Sequence, residues 1–219
     1  MDTKQRSLQE LQQIKNMMER SSKFISLSGL SGISAGLCAL AGAWFASQKI
    51  HCWQYGNCQF GDLINDTDRK VQNDVLLIAI LTFVAAFATS FFFTYIRSKK
   101  TGMSMWGTTT IRLLWNIAIP LSAGAFFLIR SMQLNQYELI TPGCLIFYGL
   151  ALVNASKYTL REVRFLGYGQ IFLGIINLWL TGYWVIFWVA GFGLLHIVYG
   201  ILMWYKYERV SAVVNNNEE

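Results

Sequence analysis

His196 is one of two histidines in the chain, and it lies in VIFWVAGFGLLHIVYGILMWY (185–205), a stretch with no Asp, Glu, Lys or Arg. An imidazole changes charge near neutral pH, so a histidine in such surroundings is the first place to look for chemistry. Four more polar side chains, Asn154, Asn116, Gln170 and Tyr168, occupy comparable apolar runs. These five residues form the candidate ligand-binding set, and their groups suit hydrogen bonding better than catalysis. No apolar run holds two acidic residues, which removes carboxylate-based catalysis and the usual acidic proton relay. The chain also lacks a phosphate-cradling glycine loop, an H-E-x-x-H helix, a G-x-S-x-G elbow and a paired Cys-x-x-Cys motif. The expectation is a protein that is not an enzyme, with no catalytic residue, no cofactor and no metal centre.

The elements that must position these side chains are helices in lipid. The run 185–205 has 21 residues, close to the ~20 that cross a hydrocarbon core of about 30 Å. Lipid offers the backbone no hydrogen-bond partner, so such a run must close its own ladder as a helix. QIFLGIINLWL (170–180) precedes it across the break TGYW, which makes the pair a tight antiparallel hairpin. Composition agrees: the 219 residues are 54% apolar and 15% aromatic, and 14% are charged against about 25% in a soluble domain. The fold class expected is an all-α bundle of six transmembrane helices over 24–207, with spans at about 24–46, 75–96, 108–129, 139–154, 167–181 and 184–205. Pro120 lies inside the third span, and Pro142 falls in the first turn of the fourth, where proline is tolerated. In the first span Ser28, Gly32 and Gly36 recur four apart, a small-residue face that lets another helix approach closely.

Residues 1–23 read as an amphipathic cytoplasmic helix. Ser7 and Glu10 fit a capping box, and Leu8, Leu11, Ile14 and Met18 give one apolar stripe. Such a helix either lies on the membrane surface or docks a partner. Residues 47–73 form a polar loop, and 208–219 a polar tail. Cys52 and Cys58 sit in that loop, where a disulfide is expected if the compartment is oxidising; a metal site using His51 lacks further ligands nearby. Cys38 and Cys144 fall inside spans as small packing groups.

Lys and Arg divide unequally, with fourteen on the side of the termini and four on the other. The positive-inside rule then makes both termini cytoplasmic in a bacterial inner membrane. The net charge of +6 follows from this bias, so it does not call for direct nucleic-acid binding.

Depth can be counted at ~1.5 Å per residue from each span's exterior end. His196 comes out roughly 20 Å down, Gln170 and Tyr168 about 18–21 Å, and Asn154 and Asn116 near 21 Å. Thr89, Ser90, Ser31 and Gly32 fall at the same level, in the cytoplasmic third, whereas Asn177 lies only ~7 Å from the exterior end. Two roles fit such a layer: hydrogen bonds that fix which helix faces meet, or a polar cavity for a small ligand or ion.

The segments LIFYGLALVNASKYTLREVRFLGYGQIFLGIINLW, WVAGFGLLHIVYGILMWYKYE and ERSSKFISLSGLSGISAGLCALAGAW resemble an uncharacterised family of small multi-span inner-membrane proteins of Bacteroidetes-type bacteria. Members encoded beside a winged-helix transcription regulator imply a sensing or regulatory role, and the resemblance carries no catalytic residue with it. The function expected is a non-enzymatic sensor or scaffold that sits in the lipid bilayer and binds a cytoplasmic regulatory protein. The alternative is a small-solute transporter or channel using the polar layer.

Overall fold

The computed structural model describes residues 28–49, 69–101 and 107–209. The amphipathic helix expected over 1–23, the loop with Cys52 and Cys58, and the tail beyond 209 lie outside the described residues. Within them the chain is all helical: α1 (Gly29–Lys49), α2 (Arg69–Thr101), α3 (Thr108–Gln133), α4 (Ile140–Ala155), α5 (Glu162–Trp179) and α6, which starts at Trp184. α6 is α-helical over Trp184–Trp188, widens to a π-helix over Val189–Leu195, returns to α over His196–Met203 and widens again over Trp204–Arg209.

The stretches Gly29–Gln48, Asn73–Lys100, Thr108–Gln133, Tyr137–Ala155 and Thr181–Tyr207 are long and apolar enough to cross a membrane. α5 is less apolar because Glu162 and Arg164 open it, and Gln170 and Asn177 lie along it. At 18 residues it still runs ~27 Å. It lies antiparallel along α4: Gly174 meets Leu145 and Ile146, and Gly149 and Gly167 each face the other's carbonyl. Several helices overrun the apolar stretches. α2 begins at Arg69 and α5 at Glu162, because charged residues continue a helix readily once it emerges into water.

Helix ends have local causes. α3 stops in a Schellman motif, with Gln136 N–H bonded to Ser131 O, Asn135 N–H to Met132 O, and Asn135 at φ 56. α5 stops at Leu180, whose N–H donates to Ile176 and Asn177 carbonyls, while Asn177 Nδ2 donates back to Leu180 O at 3.0 Å. Asn177 is thus a structural clasp on the hairpin turn, fully buried.

The helices pack in a row. α2 lies on α1, α1 on α6, α6 on α5 and α4, and α3 on the far side of α4; α2 and α3 are not packed together. Glycine makes the seams. A Cβ at Gly200 would sit 2.6 Å from both Gly29 O and Ile33 N, and one at Gly29 would sit 2.4 Å from Trp204 N. Gly32 and Gly36 face α6 on the same seam, at Gly200 and at Gly193 O respectively. The α1–α2 seam is more polar, with Ser90 Oγ donating to Ser31 O at 3.0 Å and Gly42 against Thr82. α2 otherwise exposes apolar residues all around, including the stacked series Phe83, Phe87 and Phe91, as suits a helix bathed in lipid.

Candidate functional site

α6 links the α1–α2 pair to the α3–α5 set, and where its π-helical stretch returns to α sits the most connected interior polar group among the described residues. His196 is 6% exposed, and Gln170 of α5 is fully buried against it. Gln170 Nε2 donates to Gly191 O at 2.8 Å. His196 Nδ1 lies 3.1 Å from the same carbonyl and 3.4 Å from Gln170 Nε2, and Tyr148 Oη lies 2.9 Å from His196 Nε2. Phe192 and Trp188 close the aromatic side, with Phe192 packed on both Tyr148 and His196.

The proton positions follow from the partners. Gly191 O can only accept, and it has two lone pairs, so Gln170 Nε2–H and His196 Nδ1–H can both be served. Nδ1 then carries the hydrogen and cannot accept from Gln170, which makes the 3.4 Å approach a contact only. Nε2 is left as the acceptor for the Tyr148 hydroxyl. This neutral tautomer satisfies every ring nitrogen, and the opposite one would place two lone pairs against each other at Gly191.

Gln170 Oε1 has no hydrogen-bond partner among the described residues, although it is buried. Tyr199 Oη, Glu162 Oε2, Thr159 Oγ1 and Asn177 Oδ1 share that condition. Glu162, at the first residue of α5 and outside the apolar stretch, accepts through Oε1 from Lys206 Nζ and, at 3.0 Å, from Tyr207 Oη. Burial acts to raise its carboxyl pKa, but the bonds from Lys206 and Tyr207 outweigh it and hold the group below the usual carboxylate range.

The five side chains singled out in the sequence are placed unequally. His196 and Gln170 meet. Asn154 is half-buried on α4, near the Val153–Gly167 contact, and bonds to neither of them. Asn116 donates to Arg112 O of its own helix at 2.8 Å, on α3, which packs against α4 and not α6. Tyr168 is 51% exposed. It is two residues from Gln170, about 200° around an α-helix, so the two cannot share a face. Tyr148 completes the group and was not among the residues expected.

The group also sits nearer mid-bundle than a backbone count gives. His196 is thirteen residues past Tyr183, but helical side chains lean toward the N-terminus, so its imidazole reaches back to Gly191. Gly191 is eight residues past Tyr183, or ~12 Å along the axis, and Gly149 against Gln170 is ~13 Å past Ile140.

The chain matches no protein-family model, no curated protein and no solved structure.

Proposed function

We propose that the chain is a multi-pass protein of a bacterial inner membrane, both termini cytoplasmic, that works without catalysis as a sensor or scaffold for a cytoplasmic regulatory partner. One observation carries this reading: the Tyr148–His196–Gln170 group joins α4, α5 and α6 at a π-helical stretch of the helix that links the two parts of the bundle. π turns inside α-helices are rare and are frequently found at functional sites. A change at this group would alter how the α1–α2 pair sits against α3–α5, and so move the basic ends near Arg97, Arg164 and Lys206. The amphipathic segment 1–23 then supplies a second contact for the partner.

A photo-crosslinker placed at Leu11 in cells tests the reading. A discrete cytoplasmic adduct is expected, lost when residues 1–20 are deleted from a chain crosslinked instead through Arg164, and changed in yield by His196→Leu. No adduct from either position would end the proposal.

The alternative, a small-solute transporter or channel, draws on Gln170 Oε1, a buried acceptor that a solute donor would satisfy. It predicts flux into proteoliposomes that survives deletion of 1–20 and is abolished by His196→Leu.

A further inference from the structure

Along α6 the Tyr148–His196 pair has ionisable company in one direction, toward the C-terminal end of the helix. On α6, His196, Tyr199, Met203 and Tyr207 follow at helical spacing, on the face that runs from the pair toward Glu162. Tyr199 Oη is buried and has no hydrogen-bond partner among the described residues, and it interacts electrostatically with Tyr148, Glu162, Tyr207 and Arg97. Glu162 is equally incomplete: Oε1 is taken by Lys206 and Tyr207, while Oε2 is buried and unbonded. Buried polar atoms are rarely left unpaired, and a site with several of them is where internal water settles. Toward the other end of the bundle the pair meets the apolar side chains of Phe192, Trp188 and Leu145, and beyond them Asn177, whose Nδ2 holds Leu180 O while its buried Oδ1 has no partner among the described residues; it is an amide and carries no charge.

We propose that Tyr199 and Glu162, bridged by bound water, form a proton-access route from the Glu162–Lys206 end of the bundle to the Tyr148–His196 pair, whose ligand is the proton itself. The inference goes beyond partner binding and does not depend on it. The transfer balances without a co-reactant. A proton given up by hydronium at the Glu162 end passes along water and Tyr199 to the Tyr148 oxygen. A new O–H bond forms there as the old one breaks, and its hydrogen becomes an N–H on His196 Nε2. Tyrosine stays neutral, the imidazole gains one positive charge, and Nδ1–H keeps its bond to Gly191 O.

Among the described residues, the charged and titratable groups around this route are few. α4 contributes Tyr148, α5 contributes Gln170 and Glu162, α2 contributes Arg97, and α6 itself contributes Tyr199, Lys206 and Tyr207. α1 presents Gly32 against Tyr199 and the His196 carbonyl, and no ionisable side chain there. The Glu162 carboxylate attracts an incoming proton and Arg97 opposes it.

The test uses the full chain in lipid nanodiscs with His51→Gln, which leaves His196 as the only imidazole, and nitrogen-labelled histidine. The quantity read by NMR is the rate at which the imidazole exchanges protons with water near neutral pH. Tyr199→Phe should slow exchange by about a hundredfold, the lower end of what one positioned proton-transferring group contributes. Glu162→Gln should slow it in the same sense, and Asn177→Ala, at the opposite end, should leave it unchanged. The ring-nitrogen shifts of each variant report whether the Tyr148 bond persists. Exchange as fast in folded Tyr199→Phe and Glu162→Gln as in the parent, or slowed by Asn177→Ala alone, overturns the route.

Discussion

Gly200→Ala probes the seam on which the row of helices depends. The added Cβ would lie 2.6 Å from Gly29 O and 2.6 Å from Ile33 N. Ordinary contact starts at 3.4 Å, and both obstacles are backbone, so α1 and α6 must part by about 0.8 Å or one must bend. Overpacking of this kind costs about 1–3 kcal/mol, offset by up to ~1 kcal/mol because alanine favours a helix interior over glycine. A net loss of roughly 1–2 kcal/mol is expected. Gly169→Ala is the matched control, since its Cβ would meet only the Leu195 methyls, the nearest at 3.0 Å, at the free end of a flexible side chain. There the propensity term should win, leaving stability equal or slightly raised. Reversible unfolding in bicelles measures both. Gly200→Ala as stable as the parent, or a larger loss from Gly169→Ala, would refute the seam.

Further outcomes follow from the polar group and the ion pair. Tyr148→Phe removes the donor to His196 Nε2 and should cost ~0.6–2 kcal/mol, the range for interhelical hydrogen bonds in lipid; the loss should vanish in a His196→Phe background, as a double-mutant cycle would show. The Glu162 carboxyl is held below its ordinary pKa, so its contribution to stability is present above about pH 4.3 and is lost as pH falls through its folded-state value. Thermal unfolding should therefore separate parent from Glu162→Gln at neutral pH and merge them in acid. The separation should be small, because the Lys206 side chain is 60% exposed and water screens the pair.

The helices were legible because runs such as 185–205 are too long and too apolar to be anything else, and the hairpin because TGYW is too short for another connection. Gly32 and Gly36 also disclosed their partner-facing side, since only small residues permit backbone approach. Facing was harder to read elsewhere. α2 is apolar on every side, so nothing in its sequence names the stripe that meets α1. Tyr148 escaped attention because a tyrosine counted by its Cα lies ~12 Å down α4, while His196 counted the same way lies ~20 Å down α6. The two meet because the imidazole leans back along its helix. Tyr168 and Gln170 could have been separated beforehand, since neighbours two apart point to opposite faces. The π-helical stretch had no signal beyond Gly191 and Gly193, which sequence alone would assign to packing.

The protonation pattern of His196 tests the central claim most directly. In nanodiscs near pH 8, nitrogen NMR of the His51→Gln chain should show a neutral ring protonated at Nδ1, with Nε2 accepting a strong hydrogen bond that disappears in Tyr148→Phe. A ring protonated at Nε2, or one averaging between tautomers and blind to Tyr148→Phe, would contradict a group built from Gly191, Gln170 and Tyr148 around a buried imidazole.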